Sequence, residues 1–216
     1  MGDESVNIVE VELSTRCTIG CALCPRQRER ATKHLWDVGF MDIDVVKRIV
    51  SDKSVDKVIF CGCYGDAIYH PKFFEICKFT LQQGKPFIIE TNGAHRTEEW
   101  WDKMCKLPWR PDTSWSFSID GLEDTNHLYR KNSDWTSIVR GINKLRAAKF
   151  RPGLAWKFII FPYNKHQIAA AKALSKEWGF DEFKAVKSLR YTECLSEEDR
   201  MLYDLEYHDA HSTKMS

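Results

Sequence analysis

The chain of 216 residues is long enough for one domain with a single large hydrophobic core, and α/β domains often have this length. Hydrophobic residues make up 43% of it and charged residues 29%, and the formal net charge of +1 excludes the basic surplus typical of nucleic-acid binders. No run approaches the roughly 18 apolar residues of a membrane span, and residues 1–5 lack the apolar core of a signal peptide. We therefore expect a cytoplasmic protein without a membrane partner.

Runs typical of β-strands alternate along the chain with segments typical of helices. The predicted strands are residues 8–13, 57–61, 87–91, 115–119, 154–161 and 183–187. The predicted helices are residues 42–51, 72–83, 97–107, 133–149 and 165–178. We place Asp42 and Ser133 as N-caps, and Gly84 and Gly179 as C-terminal stops. This alternation predicts an α/β fold, with a parallel sheet and outer helices, over residues 1–188, followed by a charged tail or capping segment at 189–216.

Every predicted strand ends in a polar or glycine-rich segment. The first runs into a loop with three cysteines, and the others run into residues 62–66, 90–93, 118–121, 162–164 and 187–188. Barrel enzymes build their active sites from the loops at the carboxyl ends of their strands, so we expect these segments to converge on one rim. Glycine, asparagine and aspartate also form ordinary turns, which is the alternative for any single loop.

The three cysteines of the first loop, Cys17, Cys21 and Cys24, have the spacing C-x3-C-x2-C. Three thiolates from one loop leave one position of a metal centre open, and cysteine thiolates hold cubane iron–sulfur clusters. Two alternatives are a zinc site completed by His34 or Cys61, and free cysteines that pack as small hydrophobic residues. The other cysteines are scattered in apolar or mixed segments, which favours a reducing compartment.

The cysteine spacing resembles the motif that defines the radical S-adenosylmethionine (radical SAM) enzymes, which lies after the first strand of a partial (β/α)6 barrel similar to a TIM barrel. The resemblance implies that Cys17, Cys21 and Cys24 hold a [4Fe-4S] cluster with one iron left for S-adenosylmethionine. The family usually has an aromatic residue before the third cysteine, where this chain has Leu23. We expect a minimal core without the cysteine-rich extension that carries auxiliary clusters in many relatives.

The resemblance also implies a set of residues that bind S-adenosylmethionine. Residues 64–71 are similar to the family's GEP motif, in which backbone groups and an acidic residue, here Gly65 and Asp66, hold the amino group of the methionine part. Ser118 and Asp120 match positions that bind the ribose or the methionine carboxylate. The remaining implied cofactor residues are Asn92, Lys157 for the carboxylate, and Leu23 and Val186 beside the adenine. For Lys157, a surface lysine on a strand is the alternative.

The implied function is reductive cleavage of S-adenosylmethionine to a 5′-deoxyadenosyl radical, which abstracts hydrogen from a small-molecule, nucleotide or peptidyl substrate. A one-electron donor such as flavodoxin or ferredoxin is then an expected partner. Cys194 is a candidate catalytic hydrogen donor, with a structural role as the alternative. The competing function is a non-catalytic nucleic-acid or protein adaptor that zinc or a cluster stabilises.

Three arginines, Arg26, Arg28 and Arg30, follow the cysteine motif directly. Guanidinium groups match the oxygens of phosphates and carboxylates, so these residues are candidate ligands of an anionic substrate. The alternative is a solvated charged loop, which is the usual role of a surface charge run.

Overall fold

Six parallel strands form one sheet in the order β1-β2-β3-β4-β5-β6 in the computed structural model, which describes residues 6–27 and 39–188. The strands are β1 Ile8–Glu12, β2 Lys57–Cys61, β3 Phe87–Thr91, β4 Thr113–Ser118, β5 Gly153–Ile160 and β6 Glu182–Lys187. All six predicted strands are present. The predicted α/β class with an all-parallel sheet is therefore confirmed, whereas residues 189–216 lie outside the described part of the chain.

Helices connect the successive strands. They are α1 Ile43–Ser51, α2 Phe73–Gln82, α3 Glu98–Cys105, α4 Asn126–Tyr129, α5 Trp135–Arg146 and α6 Ile168–Glu177, with 3-10 turns at Ala67–Tyr69 and Lys165–Gln167. The sequence did not predict α4 or the turn at Ala67–Tyr69, because elements of one turn are too short to show a hydrophobic period. None of the helices in the described residues is both long and apolar enough to cross a membrane.

The helix ends confirm three of the four predicted caps. The Asp42 carboxylate accepts a hydrogen bond from the Asp44 amide at 2.7 Å and starts α1. Gly84 and Gly179 follow α2 and α6 with φ of 67° and 74°, a conformation that costs glycine little. The prediction that Ser133 is an N-cap was wrong. The neighbouring Asp134 is the N-cap of α5, and its carboxylate accepts a hydrogen bond from the Ser137 amide at 3.3 Å.

The two faces of the sheet differ in chemistry, since side chains along a strand alternate between them. The outer face packs under the helices and is apolar; its fully buried side chains include Phe60, Phe87, Trp115, Phe117 and Trp156. The inner face is mixed, with Ile88 and Ile159 among mostly polar residues, and residues that stand in register across it include Glu90, Ser116, Ala155 and Glu182. The hydrophobic core therefore lies between the sheet and the helices, and the inner face remains available for a site.

Candidate active site

The three cysteines of the predicted cluster motif lie on the loop after β1 and line one open cavity. Cys21 is buried, Cys17 and Cys24 are half-buried, and none of the described cysteines forms a disulfide. The cavity has a volume of about 730 Å³, including the space that opens to solvent. The carboxyl ends of β1 to β5 contribute to its wall.

Hydrogen bonds attach the cysteine loop to the segment around α4. The Gly20 amide donates to the Lys131 carbonyl at 2.8 Å, and the Ala22 amide donates to the Tyr129 carbonyl at 3.2 Å. The loop thus has a defined backbone path, although it contains no regular secondary structure between its cysteines. A loop held in this way presents its thiols from fixed positions.

The first of the three arginines braces this same loop. The Arg26 guanidinium donates to the Cys17 carbonyl at 3.1 Å and to the Ile19 carbonyl at 2.6 Å. Arg26 is not among the residues that line the cavity. Its predicted contact with an anionic substrate stays a prediction, and Arg28 and Arg30 lie outside the described residues.

A buried aspartate organises the strand end beside the first cysteine. The Asp66 carboxylate accepts from the Ile68 amide at 3.2 Å, the Thr91 hydroxyl at 2.9 Å, and the Asn92 amide and side chain at 2.8 and 2.5 Å. The Asn92 side-chain amide also donates to the Cys17 sulfur at 3.5 Å. Burial raises the pKa of Asp66, against the effect of these hydrogen bonds. Asp66 therefore holds Asn92 in position against Cys17.

A second buried aspartate stands behind the second cysteine. The Arg130 guanidinium donates through Nε to Asp120 Oδ2 at 2.7 Å and through Nη1 to the Cys21 sulfur at 3.7 Å. Asp120 is fully buried and also accepts from the Ile159 amide at 2.7 Å. Arg130 was not predicted from the sequence, because it follows the short helix α4 and belongs to no recognisable motif.

The pKa of the Cys17 thiol responds to the same surroundings. Burial raises it to about 12, and the nearby Asp66 carboxyl is the next largest cause. Metal ligation by cysteine requires the thiolate, so metal binding at this loop releases protons. The backbone hydrogen bond with Ile19 and the nearby Arg26 guanidinium act in the opposite direction and lower the pKa of Cys17.

The predicted cofactor residues divide into two groups in the structure. Those that line the cavity with the cysteines are Gly65, Asp66, Asn92, Ser118 and Lys157. Those that do not are Leu23, which packs in the core, Asp120, which holds Arg130, and Val186, which is half-buried on β6. Their proposed contacts with a cofactor stay predictions, and Cys194 lies outside the described residues.

Glu12 is another residue that sequence analysis did not single out. Its carboxylate, at the end of β1, accepts from the amides of Tyr64 and Gly65 at 2.6 and 3.0 Å. It thereby fixes the loop after β2, whose residues 62–66 all line the cavity. Glu12 could have been predicted, because polar residues at the carboxyl ends of strands build the sites of barrel enzymes.

The three thiols of the loop fit the ligand set of a cluster. Within residues 6–27 and 39–188, no three His, Cys, Asp or Glu side chains are grouped closely enough to hold one ion. In a cubane cluster each thiolate binds a different iron, so three cysteines spaced around a cavity suit it. Cys61 is buried at the end of β2 and is not part of the cavity wall, and His34 lies outside the described residues.

Known proteins resemble this chain in sequence and in fold. A family model described as the radical SAM superfamily matches residues 11–171. A curated relative, the tungsten-containing aldehyde ferredoxin oxidoreductase cofactor-modifying protein of Pyrococcus furiosus, is 28% identical over 102 residues, which cover 45% of this chain and 27% of the relative. The matched region thus spans about a quarter of that protein.

Solved structures share the fold at low sequence identity. SuiB of Streptococcus suis bound to S-adenosylmethionine has a TM-score of 0.69 at 13% identity, covering 87% of this chain and 42% of that one. The anSMEcpe structure with bound AdoMet has a TM-score of 0.64 at 15% identity, covering 86% of this chain and 52% of that one. TYW1 with a lysine-pyruvate adduct has a TM-score of 0.61 at 13% identity, covering 86% and 67%. The predicted partial barrel is therefore confirmed.

Proposed function

Because the chain belongs to the radical SAM superfamily, whose enzymes use a [4Fe-4S] cluster and S-adenosylmethionine, we propose that it is an enzyme that abstracts hydrogen from its substrate with a 5′-deoxyadenosyl radical. The observation that carries the proposal is the cavity in which three thiols of one loop meet polar residues from the ends of β2 to β5. When bound, the two cofactors supply an electron and the radical precursor.

Each part of the cavity has a separate task in this proposal. Cys17, Cys21 and Cys24 bind the cluster through their sulfurs, and Asn92 and Arg130 orient two of those sulfurs by hydrogen bonds. The polar wall binds the ammonium, carboxylate and hydroxyl groups of S-adenosylmethionine; it comprises Gly65, Asp66, Asn92, Ser118 and Lys157. Asp120 acts on this site as a positioning residue through Arg130.

The apolar part of the wall protects a reactive radical. Ile19 and Ile159 line the cavity among its polar residues. Apolar side chains at this place exclude water and offer few polar groups to a radical, so side reactions are limited. Leu23 and Val186 are proposed to extend this apolar surface along the adenine.

The proposal includes partners that supply what the chain lacks. Reductive cleavage consumes one electron for each S-adenosylmethionine, so a one-electron donor such as flavodoxin or ferredoxin is required. The substrate is a small molecule, a nucleotide or a peptidyl residue, and the enzyme works in the reducing conditions of the cytoplasm.

Anaerobic reconstitution tests the cluster assignment. We expect the wild-type chain to bind iron and acid-labile sulfide, and Cys17→Ala, Cys21→Ala or Cys24→Ala to abolish cluster retention. Cys105→Ala is the matched control, because Cys105 is a half-buried thiol on α3 outside the cavity wall. A triple variant of the loop cysteines with full iron and sulfide content would contradict the assignment.

A second measurement tests the chemistry itself. Reduced, reconstituted protein should slowly release 5′-deoxyadenosine and methionine from S-adenosylmethionine without any substrate. Ser118→Ala and Lys157→Met should weaken S-adenosylmethionine binding while the iron content stays at the wild-type level. Unchanged affinity in both variants would remove these residues from the cofactor site, and absence of 5′-deoxyadenosine in the wild type would overturn the proposed function.

A further inference from the structure

A second cavity opens on the inner face of the sheet, deeper in the barrel than the cysteine cavity. Its wall includes Ser114 and Ser116 of β4, Ala155 of β5, and Glu182 and Lys184 of β6. Its volume is about 550 Å³, including the space that opens to solvent, which lies in the range of small-molecule sites. We call it the inner groove.

The inner groove and the cysteine cavity are neighbours, because Glu90 and Lys157 line both. Ser116 lies two residues before Ser118 on β4, and a strand rises about 3.3 Å per residue, so Ser116 lies about 7 Å deeper than Ser118. A molecule in the groove can therefore extend one end towards the cysteines while its other end remains on β4 and β6.

Side-chain size explains why the groove exists. In a TIM barrel, bulky branched side chains from alternate strands fill the interior. Here the register places Ser116 beside Ala155, and Ser114 beside Gly153, at the middle of the inner face. These small residues leave the space open, and their hydroxyls provide hydrogen-bonding groups on its floor.

The charges around the groove are balanced in sign. Lys157 Nζ lies 3.4 Å from Glu90 Oε1, and Lys184 Nζ lies 2.9 Å from Glu182 Oε1. All four side chains are at least one-third exposed, and exposed ion pairs contribute little to stability. A ligand that carries both an ammonium and a carboxylate can replace such an ion pair at little cost, because its ammonium binds the glutamate and its carboxylate binds the lysine. A polyanion is disfavoured, because the groove contains as many carboxylates as ammonium groups and the carboxylates repel it.

We propose that the inner groove is the substrate site and that it binds the zwitterionic group of a free proteinogenic amino acid. Glu182 and Glu90 accept hydrogen bonds from its ammonium, Lys184 donates to its carboxylate, and the hydroxyls of Ser114 and Ser116 complete the contacts. The rest of the ligand extends past Lys157 towards the cysteine cavity. This assignment of substrate class rests on the function proposed above.

Ligand binding to the reconstituted full chain tests the groove directly. The probes are the free proteinogenic L-amino acids, measured by saturation-transfer NMR and calorimetry in the presence of S-adenosylhomocysteine. At least one amino acid should bind, and its N-acetyl and its amide derivatives should each bind at least tenfold more weakly. Lys184→Glu should weaken binding at least tenfold, while Lys172→Glu, at an exposed position on α6, should leave it unchanged.

A second variant tests whether the open space of the groove is needed for binding. Ala155→Leu should abolish binding by filling the floor, and its melting temperature and circular dichroism report whether the fold is retained. The exposed Lys184→Glu change keeps the test decisive even if Ala155→Leu fails to fold. Equal binding of the free and the capped amino acids, or of wild type and Lys184→Glu, would overturn the proposal, as would a panel in which no amino acid binds.

Release of 5′-deoxyadenosine by the same preparations separates this inference from the proposed function. Cleavage of S-adenosylmethionine without amino-acid binding overturns the substrate class and leaves the proposed function in place. Amino-acid binding without any cleavage overturns the proposed function and leaves the groove as an amino-acid site.

Discussion

Individual hydrogen bonds at the sulfurs distinguish the three cysteines from one another. Asn92 donates to Cys17, and Arg130 donates to Cys21; each donor is held by a buried aspartate. Hydrogen bonds to the cysteine sulfurs of a bound cluster stabilise its more negative, reduced form, and they are among the factors that set reduction potentials. We therefore expect the residues behind the cysteines to tune how easily the site accepts an electron.

Removal of one such bond should change the reduction potential. In reconstituted Asn92→Ala we expect a potential lower by tens of mV, since about 59 mV corresponds to a tenfold change for one electron. A redox titration followed by electron paramagnetic resonance measures it, with iron content as a check on cluster retention. Asn143→Ala, an exposed position on α5, is the control. A wild-type potential in Asn92→Ala with full iron content would contradict this tuning role.

Arg26 illustrates a side chain whose observed contacts point to a task other than the predicted one. Its guanidinium bonds two carbonyls of the cysteine loop, and charged hydrogen bonds contribute about 1.5 to 3 kcal/mol each. Arg26→Ala should therefore release iron several-fold faster to a chelator than the wild type does. Arg48→Ala, an exposed position on α1, should release iron at the wild-type rate. Unchanged iron release in Arg26→Ala would return Arg26 to the list of candidate substrate ligands.

At the scale of elements, the loops after β1 and β2 form one rigid unit. A Cβ atom at Gly65 would lie 1.8 Å from the Ser14 carbonyl oxygen, so no side chain fits there. The Asp66 amide donates to the Arg16 carbonyl at 2.9 Å, and Glu12 holds the amides of residues 64 and 65. This close approach places the loop after β2 directly against the cysteine loop.

Gly65→Ala tests whether that approach matters for the site. Forcing a methyl group into a packed contact costs about 1 to 3 kcal/mol, and here the contact is with backbone that has to move. We expect a lower melting temperature and at least tenfold weaker S-adenosylmethionine binding by calorimetry. Gly153→Ala is the control, because its Cβ would lie 3.2 Å from a side-chain atom, Cβ of Ser114. Wild-type affinity in Gly65→Ala would show that the two loops move independently.

At the scale of the whole molecule, the sheet separates stability from function. Its outer face carries the aromatic core under the helices, and its inner face carries the groove and the cysteine cavity. The cysteine loop is attached by hydrogen bonds to segments around α4 and β2. A cluster bound to that loop stabilises the folded state, because ligands that bind only the folded chain shift the unfolding equilibrium.

Iron removal should therefore lower the melting temperature of the whole chain. Binding at a ligand concentration of 100 times Kd contributes about 2.7 kcal/mol, which is about 5 to 10 °C for a chain of this size. Scanning calorimetry of reconstituted and chelator-treated protein measures the difference. The triple variant of Cys17, Cys21 and Cys24 should show none, and a wild type insensitive to chelation would contradict a cluster that is integral to the fold.

Local patterns were sufficient for most of the fold. Hydrophobic runs with turn residues predicted all six strands, and the positions of Gly84 and Gly179 predicted two helix ends. One-turn elements such as α4 escaped prediction because they contain too few residues to show a period. The N-cap of α5 was misplaced by one residue, since Ser133 and Asp134 are both favourable capping residues and only the backbone conformation distinguishes them.

Hydrophobic period and ligand spacing are properties of neighbouring residues, so the order of the strands and helices along the chain and the loop of three cysteines could be predicted without a structure. Which polar side chains share the cavity depends on how the folded chain packs. Ser118 and Asp120 are two residues apart, yet Ser118 lines the cavity while Asp120 is fully buried against Arg130. That difference depends on contacts between segments distant in the chain, and packing between such segments also left the inner groove open.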